Sequence, residues 1–377
     1  MKLKFSILFC AMILSSTVYG QHEDFHPGEI WEDDQGVHIN AHGGGFLIHD
    51  DTYYWFGEIK TKGSEGNKAL VGVSVYSSED LYNWKNKGVA LAVHEDTTSL
   101  LVKGCVIERP KVIFNEKTGK FIMWFHHELK GQGYNAAMTG LAISDKVEGP
   151  YNYIKSVNPN PGIWPLNFPD SLKARDTDPD DFEWRSPEWF KEVEKGLFLR
   201  RDFEKGQMAR DMTLFVDDDG KAYHIHSSEA NQTLHVAELT EDFMDFTGRY
   251  TRVLAGQQNE APAVFKKDGK YFMISSGLTG WKPNPGRSAV ADHPMGPWEP
   301  LGNPVVGTEE QMKTTFKSQS TYVLPVKDKE NAFIYIGDRW TPKNPIDGKY
   351  VWLPIEFEGE RPIIRWYDSW DLTLFDN

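Results

Sequence analysis

Cysteine is almost absent from the sequence, since only Cys10 and Cys105 occur among 377 residues. Cys10 falls within a predicted N-terminal export signal, so Cys105 would be the only cysteine of the processed chain and an intrachain disulfide is excluded. Val106 and Ile107 follow Cys105, which predicts a buried structural thiol. The spacing of Cys and His that marks a zinc site is also missing.

Positive charge is scarce, with 41 Lys and Arg against 55 Asp and Glu and a formal net charge of −14. Such an acidic chain is not expected to bind nucleic acid or anionic membranes. Long apolar runs are lacking too, and the run within residues 1–20 is too short for a membrane span, so no membrane insertion is expected. Two lysines precede this run, which predicts a cleaved signal peptide and a secreted or periplasmic protein comprising residues 21–377.

One pattern is present in abundance: an apolar strand, an acidic or glycine-rich turn, and an aromatic strand. Alternating aromatic and β-branched residues around Asp-Gly turns predict β-hairpins. Repetition at intervals of several tens of residues predicts an all-β fold, a single-domain five-bladed β-propeller with one repeat in each blade. The five predicted hairpins cover residues 43–58, 108–128, 210–229, 259–277 and 318–340.

Residues 155–206 break this pattern, being rich in Pro, Asp and Trp. A loop of this length is uncommon and is often functional, so we expect it to form a wall of the substrate pocket. The alternative is a surface decoration packed on a blade. Within it, Ser186 followed by Pro187 and Glu188 predicts the start of a short helix.

Polar residues recur where the first strand of each blade begins. A propeller brings these positions together around its axis, so residues far apart in sequence are expected to meet in one pocket. Glycoside hydrolysis requires such a set, with one acid to protonate the leaving oxygen and a second group to activate water. The alternative is that the acids cap strands or pair with Arg109, Arg210 and Arg339. The blade-start residues are His42, Glu108, Asp211, Glu260 and Gln319.

These motifs resemble glycoside hydrolase family 43, whose members are five-bladed propellers that hydrolyse with inversion. NEAPAVF (259–265) is similar to the family's general-acid motif, which implies that Glu260 is the acid. RDMTLFVDDDGKAYHI (210–225) is similar to the strand whose Asp orients that acid and tunes its pKa, which implies this role for Asp211. The resemblance covers nearly all of the chain after residue 20.

The sequence departs from the family where a blade-one Asp usually serves as general base, because that place reads AHGGGF (41–46). This departure resembles the branch of exo-β-1,3-galactanases and related arabinofuranosidases and galactofuranosidases, which implies that Glu108 and Gln319 act instead. Gln319 would hold the attacking water through its amide oxygen, as the amide or its imidic tautomer. Glu108 would accept the proton, orient the water or bind a sugar hydroxyl.

Aromatic residues make up 13% of the chain, including 13 Trp, which is usual for sugar-binding surfaces, although most of them are expected to fill space between blades. The stretch GLTGW (277–281) also resembles the galactanase branch and implies that Trp281 is a sugar platform. Histidines on or near inner strands are expected mainly in the core. The predicted substrate-binding residues are His42, Glu58, Arg109, Glu229, Thr279, Trp281, Arg339 and Trp340.

The resulting prediction is an exo-acting, inverting glycoside hydrolase that removes terminal galactosyl residues from a β-1,3-galactan of plant or algal origin. The alternatives are an α-L-arabinofuranosidase or β-D-galactofuranosidase on the same scaffold, or a carbohydrate-binding propeller without catalysis. The expected partner is an oligosaccharide or polysaccharide, and the protein is expected to be a monomer. No catalytic metal or cofactor is predicted, although a structural cation such as calcium is compatible with the central channel.

Overall fold

The computed structural model describes residues 22–376, which form five sheets of mainly antiparallel strands. These sheets are the five blades of a β-propeller, as the hairpin repeats predicted. The predicted signal peptide and Cys10 lie outside the described residues, whereas Cys105 is fully buried as expected. Among residues 22–376, no helix combines the length and apolar character that a membrane crossing requires.

Each blade contains four consecutive antiparallel strands, and blade 5 has one additional short strand, β17, which pairs in parallel with β21. The strands are β1 (His42–His49), β2 (Thr52–Glu58), β3 (Gly72–Ser78) and β4 (Lys85–Ala92) in blade 1; β5 (Val106–Asn115), β6 (Lys120–Glu128), β7 (Met138–Ser144) and β8 (Asn152–Val157) in blade 2; β9 (Met212–Val216), β10 (Ala222–Ser228), β11 (Thr233–Leu239) and β12 (Phe246–Val253) in blade 3; β13 (Asn259–Lys267), β14 (Lys270–Gly277), β15 (Arg287–Ala291) and β16 (Glu299–Gly302) in blade 4; and β17 (Val305–Val306), β18 (Gln319–Pro325), β19 (Phe333–Arg339), β20 (Lys349–Glu358) and β21 (Arg361–Arg365) in blade 5.

The first hairpin strand of every blade lies at the axis, and β1, β5, β9, β13 and β18 contact one another in a closed ring. The ring is closed where blade 5 meets blade 1, across an aromatic cluster that includes Trp55 and Trp352. Near the two ends of the described chain, Phe25 forms a backbone bridge with Trp370. Most tryptophans therefore fill space inside or between blades, as expected.

The inner strands β1, β5 and β13 each contain a β-bulge near their start. The residue after the first polar position adopts a left-handed conformation there, with φ of 58° at Gly43, 57° at Arg109 and 52° at Ala261. Successive side chains of a regular strand point to opposite faces. The bulge in β5 removes this alternation, so that Glu108 and its neighbour Arg109 both line the axial pocket.

The insertion between blades 2 and 3 carries three of the four α-helices found within residues 22–376. Ser186 caps α2 as predicted, because its hydroxyl accepts a hydrogen bond from the Trp189 N–H at 3.1 Å. Phe168 packs against Tyr250 of blade 3, so the insertion is anchored to the outside of that blade. The α-helices are α1 (Asp170–Lys173), α2 (Pro187–Glu194), α3 (Leu197–Arg201) and α4 (Glu309–Thr314), and the 3-10 helices are Pro179–Asp181, Thr315–Lys317, Pro345–Asp347 and Leu372–Asp376.

Candidate active site

A pocket of about 240 Å³ opens at the axis, where the starts of the inner strands meet. Its volume is below the roughly 300–1,000 Å³ typical of sites for drug-sized ligands, so it suits a small ligand such as one sugar residue. All four predicted catalytic residues and four of the predicted binding residues line it: Glu260, Asp211, Glu108, Gln319, Glu58, Arg109, Trp281 and Trp340.

Glu260 is the second residue of β13 and has the environment of a protonated carboxylic acid. Burial raises its pKa, and the nearby negative charge of Asp211 raises it further, to about 8. Arg109, Arg210 and a hydrogen bond from Asn231 Nδ2 to Glu260 Oε1, 2.7 Å long, oppose this shift without cancelling it. Glu260 is therefore protonated at neutral pH and can donate its proton to a leaving group.

Arg109 connects Asp211 and Gln319 in the pocket. Its Nε and Nη2 donate to the two carboxylate oxygens of Asp211 at 3.2 and 3.1 Å, which is a bidentate ion pair. Burial alone would lower the pKa of Arg109, but the charges of Asp211, Asp338 and Glu58 outweigh burial and raise it. The guanidinium therefore stays charged and holds the Asp211 carboxylate in place beside Glu260.

The side-chain amide of Gln319 has a fixed orientation. Its Oε1 accepts hydrogen bonds from Arg109 Nη2 at 2.7 Å and from Trp340 Nε1 at 2.9 Å. Both partners can only donate, so the oxygen must face them. The Nε2 of Gln319 donates to Ser276 Oγ at 2.9 Å. The amide oxygen that was predicted to hold the water is thus already engaged, and one amide hydrogen is left for the pocket.

Glu108 is held as a carboxylate by a hydrogen bond at one of its oxygens and an ion pair at the other. Tyr134 donates its hydroxyl to Glu108 Oε1 at 2.6 Å, and His126 Nδ1 lies 3.0 Å from Oε2. Burial would raise the pKa of Glu108, but His126, the charge of Lys60 and the Tyr134 hydroxyl outweigh burial and lower it to about 2.

His126 bridges Glu108 and a second carboxylate, since its Nε2 lies 2.9 Å from Glu128 Oε1. Burial would lower the pKa of His126, but its contacts with these two carboxylates raise it to about 9. His126 is therefore an imidazolium at neutral pH, and it stabilises the negative charge of Glu108.

Glu58 enters the pocket from the end of β2 in blade 1. It forms an ion pair with Lys60, and its Oε1 accepts a hydrogen bond from the backbone N–H of Arg109 at 2.9 Å. Burial raises the pKa of Glu58, while Lys60 opposes the shift and Glu108 adds to it. Blade 1 thus contributes a carboxylate from its second strand, although its first strand has none.

Trp281 and Trp340 form the apolar rim of the pocket. Their ring centroids are 5.7 Å apart with an interplanar angle of 78°, and Trp281 is 40% exposed. The guanidinium of Arg109 lies 5.4 Å from the Trp340 ring centroid. An exposed indole beside fixed polar groups is suited to packing against the C–H face of a sugar, because the rings supply rigid apolar area.

Four of the eight predicted binding residues do not line this pocket. His42 is buried behind it, stacked on Tyr350 at 5.2 Å, because its ring fills the space between blades 1 and 5. Arg339 points outward and donates to the Phe316 carbonyl at 2.9 Å. Thr279 uses its hydroxyl within the exposed 278–284 loop, where it donates to the Lys282 carbonyl at 2.5 Å.

Glu229, the fourth residue outside the pocket, is fully buried in an ionic cluster. Arg252 donates to both of its oxygens, at 2.6 and 2.8 Å, and His235 Nε2 lies 2.9 Å from Oε1. Burial would raise the pKa of Glu229, but Arg252 and His235 outweigh it and lower the pKa to about 2. The predicted contact of Glu229 with a sugar hydroxyl is therefore not found.

The pocket also contains side chains that the sequence did not single out as ligands: Asn231, Tyr134, Arg210 and His126. His126 had a weak signal, as a histidine on a strand next to the axis. Asn231 and Tyr134 lie outside the strands, and no repeat marks them. The insertion, residues 155–206, contributes no residue to the pocket lining, so it is not the predicted wall.

The central channel below the pocket holds the buried amine of Lys111. Its Nζ donates to the Gly43 carbonyl at 3.0 Å, and the Arg109 carbonyl lies 3.5 Å away. Burial lowers the pKa of Lys111 to about 7, and the charge of Arg109 contributes to this decrease. A Cβ at Gly45 would lie 2.2 Å from Lys111 Cδ, so glycine is needed there to make room for the lysine.

One set of side chains could in principle hold a cation, because Glu108, His126 and Asp211 offer ligand atoms within 4.8 Å of one another. These groups already have partners. His126 bridges Glu108 and Glu128, and Asp211 is paired with Arg109. The cationic Arg109 and His126 would also repel a metal ion, so this set does not fit one.

Comparisons with known proteins point to one family of glycoside hydrolases. The sequence model for glycosyl hydrolases family 43 matches residues 177–357. A solved structure of a family GH43 β-1,3-galactosidase with galactodeoxynojirimycin is 49% identical, with a TM-score of 0.89 over 92% of this chain and 100% of that chain. An exo-β-1,3-galactanase from Phanerochaete chrysosporium with β-1,3-galactotriose is 30% identical, with a TM-score of 0.73 over 93% of this chain and 68% of that one.

An exo-β-1,3-galactanase from Clostridium thermocellum is 33% identical, with a TM-score of 0.73 over 92% of this chain and 66% of its own. Among curated proteins, the β-D-galactofuranosidase xynD of Aspergillus niger is 33% identical over 129 residues. Those residues are 32% of this chain and 37% of that relative, so the match spans little more than a third of its length.

Proposed function

The chain belongs to glycoside hydrolase family 43, and on this premise we propose that it removes terminal galactosyl residues from β-1,3-galactan by a single displacement with inversion. The observation that carries the proposal is that the buried Glu260 carboxyl lies near the charge of Asp211 in a pocket small enough for one sugar residue. The 49% identity to a β-1,3-galactosidase over its whole length supports the choice of sugar and linkage.

Glu260 acts as the general acid in this proposal. Its proton moves to the glycosidic oxygen as the bond to the anomeric carbon breaks, so the leaving sugar departs as a neutral alcohol. Arg109 holds Asp211 in a bidentate ion pair, and the negative charge of Asp211 helps to raise the pKa of Glu260, so that Glu260 still carries its proton when the substrate is bound. After bond cleavage the leaving sugar has taken this proton. The site is restored when Glu260 takes up a proton from solvent and Glu108 releases to solvent the proton that it received from the attacking water.

Gln319 orients the attacking water, and Glu108 accepts a proton from it. One amide hydrogen of Gln319 is donated to Ser276, and the other is free to be donated to the oxygen of the water. The amide oxygen cannot hold the water, because it already accepts from Arg109 and Trp340. Glu108 is the ionised acceptor that receives the proton of the water as the new bond to the anomeric carbon forms. The water attacks on the face opposite Glu260, so the anomeric configuration of the product is inverted.

An exo mode of action follows from the shape of the site. The pocket holds one sugar residue, and the exposed ring of Trp281 at its rim supplies a platform for the sugar that follows. A pocket with room for one sugar residue admits only the end of a polysaccharide, so each turnover releases one galactose.

The proposal is tested by incubating the purified protein with β-1,3-galactan, arabinan and a β-D-galactofuranoside and identifying the products by chromatography. Free galactose from the galactan, with the anomer opposite to that of the substrate in the first proton NMR spectra, is the expected result. Galactose released only from the galactofuranoside would favour the activity of the Aspergillus niger relative, and arabinose from arabinan would favour an arabinofuranosidase. No product from any substrate would favour a binding protein.

We also propose that the protein is exported and works as a monomer without a required metal. The two lysines and short apolar run of residues 1–20 support export, and intact mass analysis of the native protein should place its first residue near Gln21. Size-exclusion chromatography coupled to light scattering checks the mass of the particle, and a dimer mass would contradict the monomer.

A further inference from the structure

Asn231 reaches the candidate acid from an unusual turn. The turn joins β10 to β11, and Glu229, Ala230 and Asn231 adopt left-handed conformations in succession, with φ of 52°, 56° and 62°. None of the three is glycine, and such conformations persist only where the surrounding structure imposes them. At the end of this run, Asn231 Nδ2 donates to Glu260 Oε1 at 2.7 Å.

The group that imposes the turn is Arg252, on β12 of the same blade. Its Nε and Nη2 donate to the two oxygens of Glu229, and its Nη1 and Nη2 donate to the Glu194 and Val193 carbonyls at 2.9 and 3.0 Å. These carbonyls lie at the C-terminal end of helix α2, and the Val193 carbonyl also accepts the Gly196 backbone N–H at 2.9 Å. Arg252 therefore ties the insertion to the first residue of the turn.

We propose that the insertion, residues 155–206, is a brace that positions the general acid through Arg252, Glu229 and Asn231. The proposal rests on the role of Glu260 in the proposed function. It gives the insertion a part in catalysis although none of its residues lines the pocket. Asn231 and Arg252 are positioning residues in this scheme, because they act through Glu260.

The chemistry of the bond explains why position matters. Asn231 donates its N–H to Oε1 of Glu260, so the carboxyl proton is kept on Oε2, which is left for the glycosidic oxygen. If the turn moves, the proton can reside on either oxygen of Glu260, and it is no longer held on the oxygen that faces the glycosidic oxygen. A donor on a carboxylate also favours the ionised form, so its loss raises the pKa of Glu260. The other charges that act on Glu260 are Asp211, Arg109 and Arg210, and Glu260 in turn acts on Arg287.

The decisive experiment is a double-mutant cycle of Arg252→Met and Asn231→Ala, read as pH–rate profiles of kcat/KM on galactan. Each single variant should lower kcat roughly 10- to 100-fold, since small misplacements of catalytic groups cost this much. Each should also move the basic limb to higher pH. The double variant should behave like either single variant, because both changes remove the same contact.

Arg175→Met is the matched control. Arg175 donates at 2.6 Å to Glu192 of α2, the helix that Arg252 also contacts, but Arg175 does not contact Glu229. This variant should have the same kcat as the wild type, and the basic limb of its pH–rate profile should lie at the same pH. If Arg252→Met does not fold, as judged by thermal melting, Glu229→Gln removes the charge of the pair while keeping an acceptor, and it takes the place of Arg252→Met in the cycle.

Two results would separate the brace from the function on which it rests. Additive effects of Arg252→Met and Asn231→Ala, or an unmoved basic limb in both, overturn the brace even if Glu260→Gln behaves as the loss of an acid. If Glu260→Gln instead reduces turnover equally for good and poor leaving groups, the assignment of the acid fails. The brace fails with it.

Discussion

The carboxylate of Glu58 occupies the space that a side chain at position 43 would need. A Cβ built on Gly43 would lie 2.1 Å from Glu58 Oε1, and Gly43 has a φ of 58°. The absence of an Asp on the first strand of blade 1 and the presence of the buried Glu58 on its second strand are therefore linked, because the two side chains would need the same space. Glycine on the first strand is what allows the carboxylate of the second strand to approach the axis.

Restoring an acid on the first strand should therefore inactivate the protein. We expect Gly43→Asp to lower activity on galactan at least 100-fold and to destabilise the fold by about 1–3 kcal/mol, because the new side chain collides with Glu58 on a strained backbone. Gly119→Asp is the control, since Gly119 has a φ of 67° with nothing within 4 Å of an added Cβ. Kinetics and chemical denaturation measure both effects, and full activity in Gly43→Asp would contradict the arrangement.

Hairpins and blade order could be predicted because both depend on local patterns. Alternation around Asp-Gly turns fixes each hairpin, and the repeat fixes the ring. The polar residues that begin the inner strands could be predicted for the same reason. Glu108, Asp211, Glu260 and Gln319 all lie at equivalent positions, and all four line the pocket.

Residues outside the repeat could not be predicted in this way. Asn231 reaches the pocket because Arg252 holds its turn. Arg252 donates to Glu229, 23 positions away, and to the Val193 carbonyl at the end of a helix of the insertion. Glu229 was expected to bind sugar because it ends a second strand, as Glu58 does. Only three-dimensional packing reveals that Arg252 and His235 meet its carboxylate, whereas the carboxylate of Glu58 reaches the axis.

The pH dependence of activity should respond in a defined direction to Asp211. The pKa of Glu260 is raised to about 8, so kcat/KM should fall as the pH rises through about 8 and the acid loses its proton. Asp211→Asn removes a negative charge that raises this pKa, so the basic limb should move to lower pH. This shift is opposite to the one expected for Asn231→Ala, and profiles of unchanged shape would make Asp211 a structural residue.

Leaving-group dependence checks the acid itself. Glu260→Gln should reduce turnover of galactan by roughly 10²–10⁴-fold, since it removes general acid catalysis. Aryl galactosides with acidic phenols need little protonation, so their turnover should fall much less. Far-ultraviolet circular dichroism of the variant verifies the fold, and equal losses on both substrate classes would exclude the role.

Metal removal is expected to leave the protein unchanged. The amine of Lys111 donates to the Gly43 carbonyl in the central channel, where a structural cation could otherwise bind. Melting temperatures with EDTA and with added calcium should therefore agree. Lys111→Met should destabilise the fold by about 1–3 kcal/mol, because it leaves a buried carbonyl without a donor. Stoichiometric calcium in the purified protein, with a lower melting temperature in EDTA, would contradict this expectation.

Gln319→Glu decides how the attacking water is held. A carboxylate has nearly the same shape as the amide and can still accept from Arg109 and Trp340, but it has no hydrogen to donate to the water. If Gln319 acts as a donor, Gln319→Glu should lose about as much activity as Gln319→Ala, roughly 100-fold or more on galactan, because the water is no longer oriented. If Gln319 instead accepted the proton of the water as an imidic acid, glutamate would be the stronger base, and Gln319→Glu should keep most of its activity. Rates of the two variants on galactan, with the anomer of the product followed by NMR, therefore distinguish an oriented water from a base at position 319.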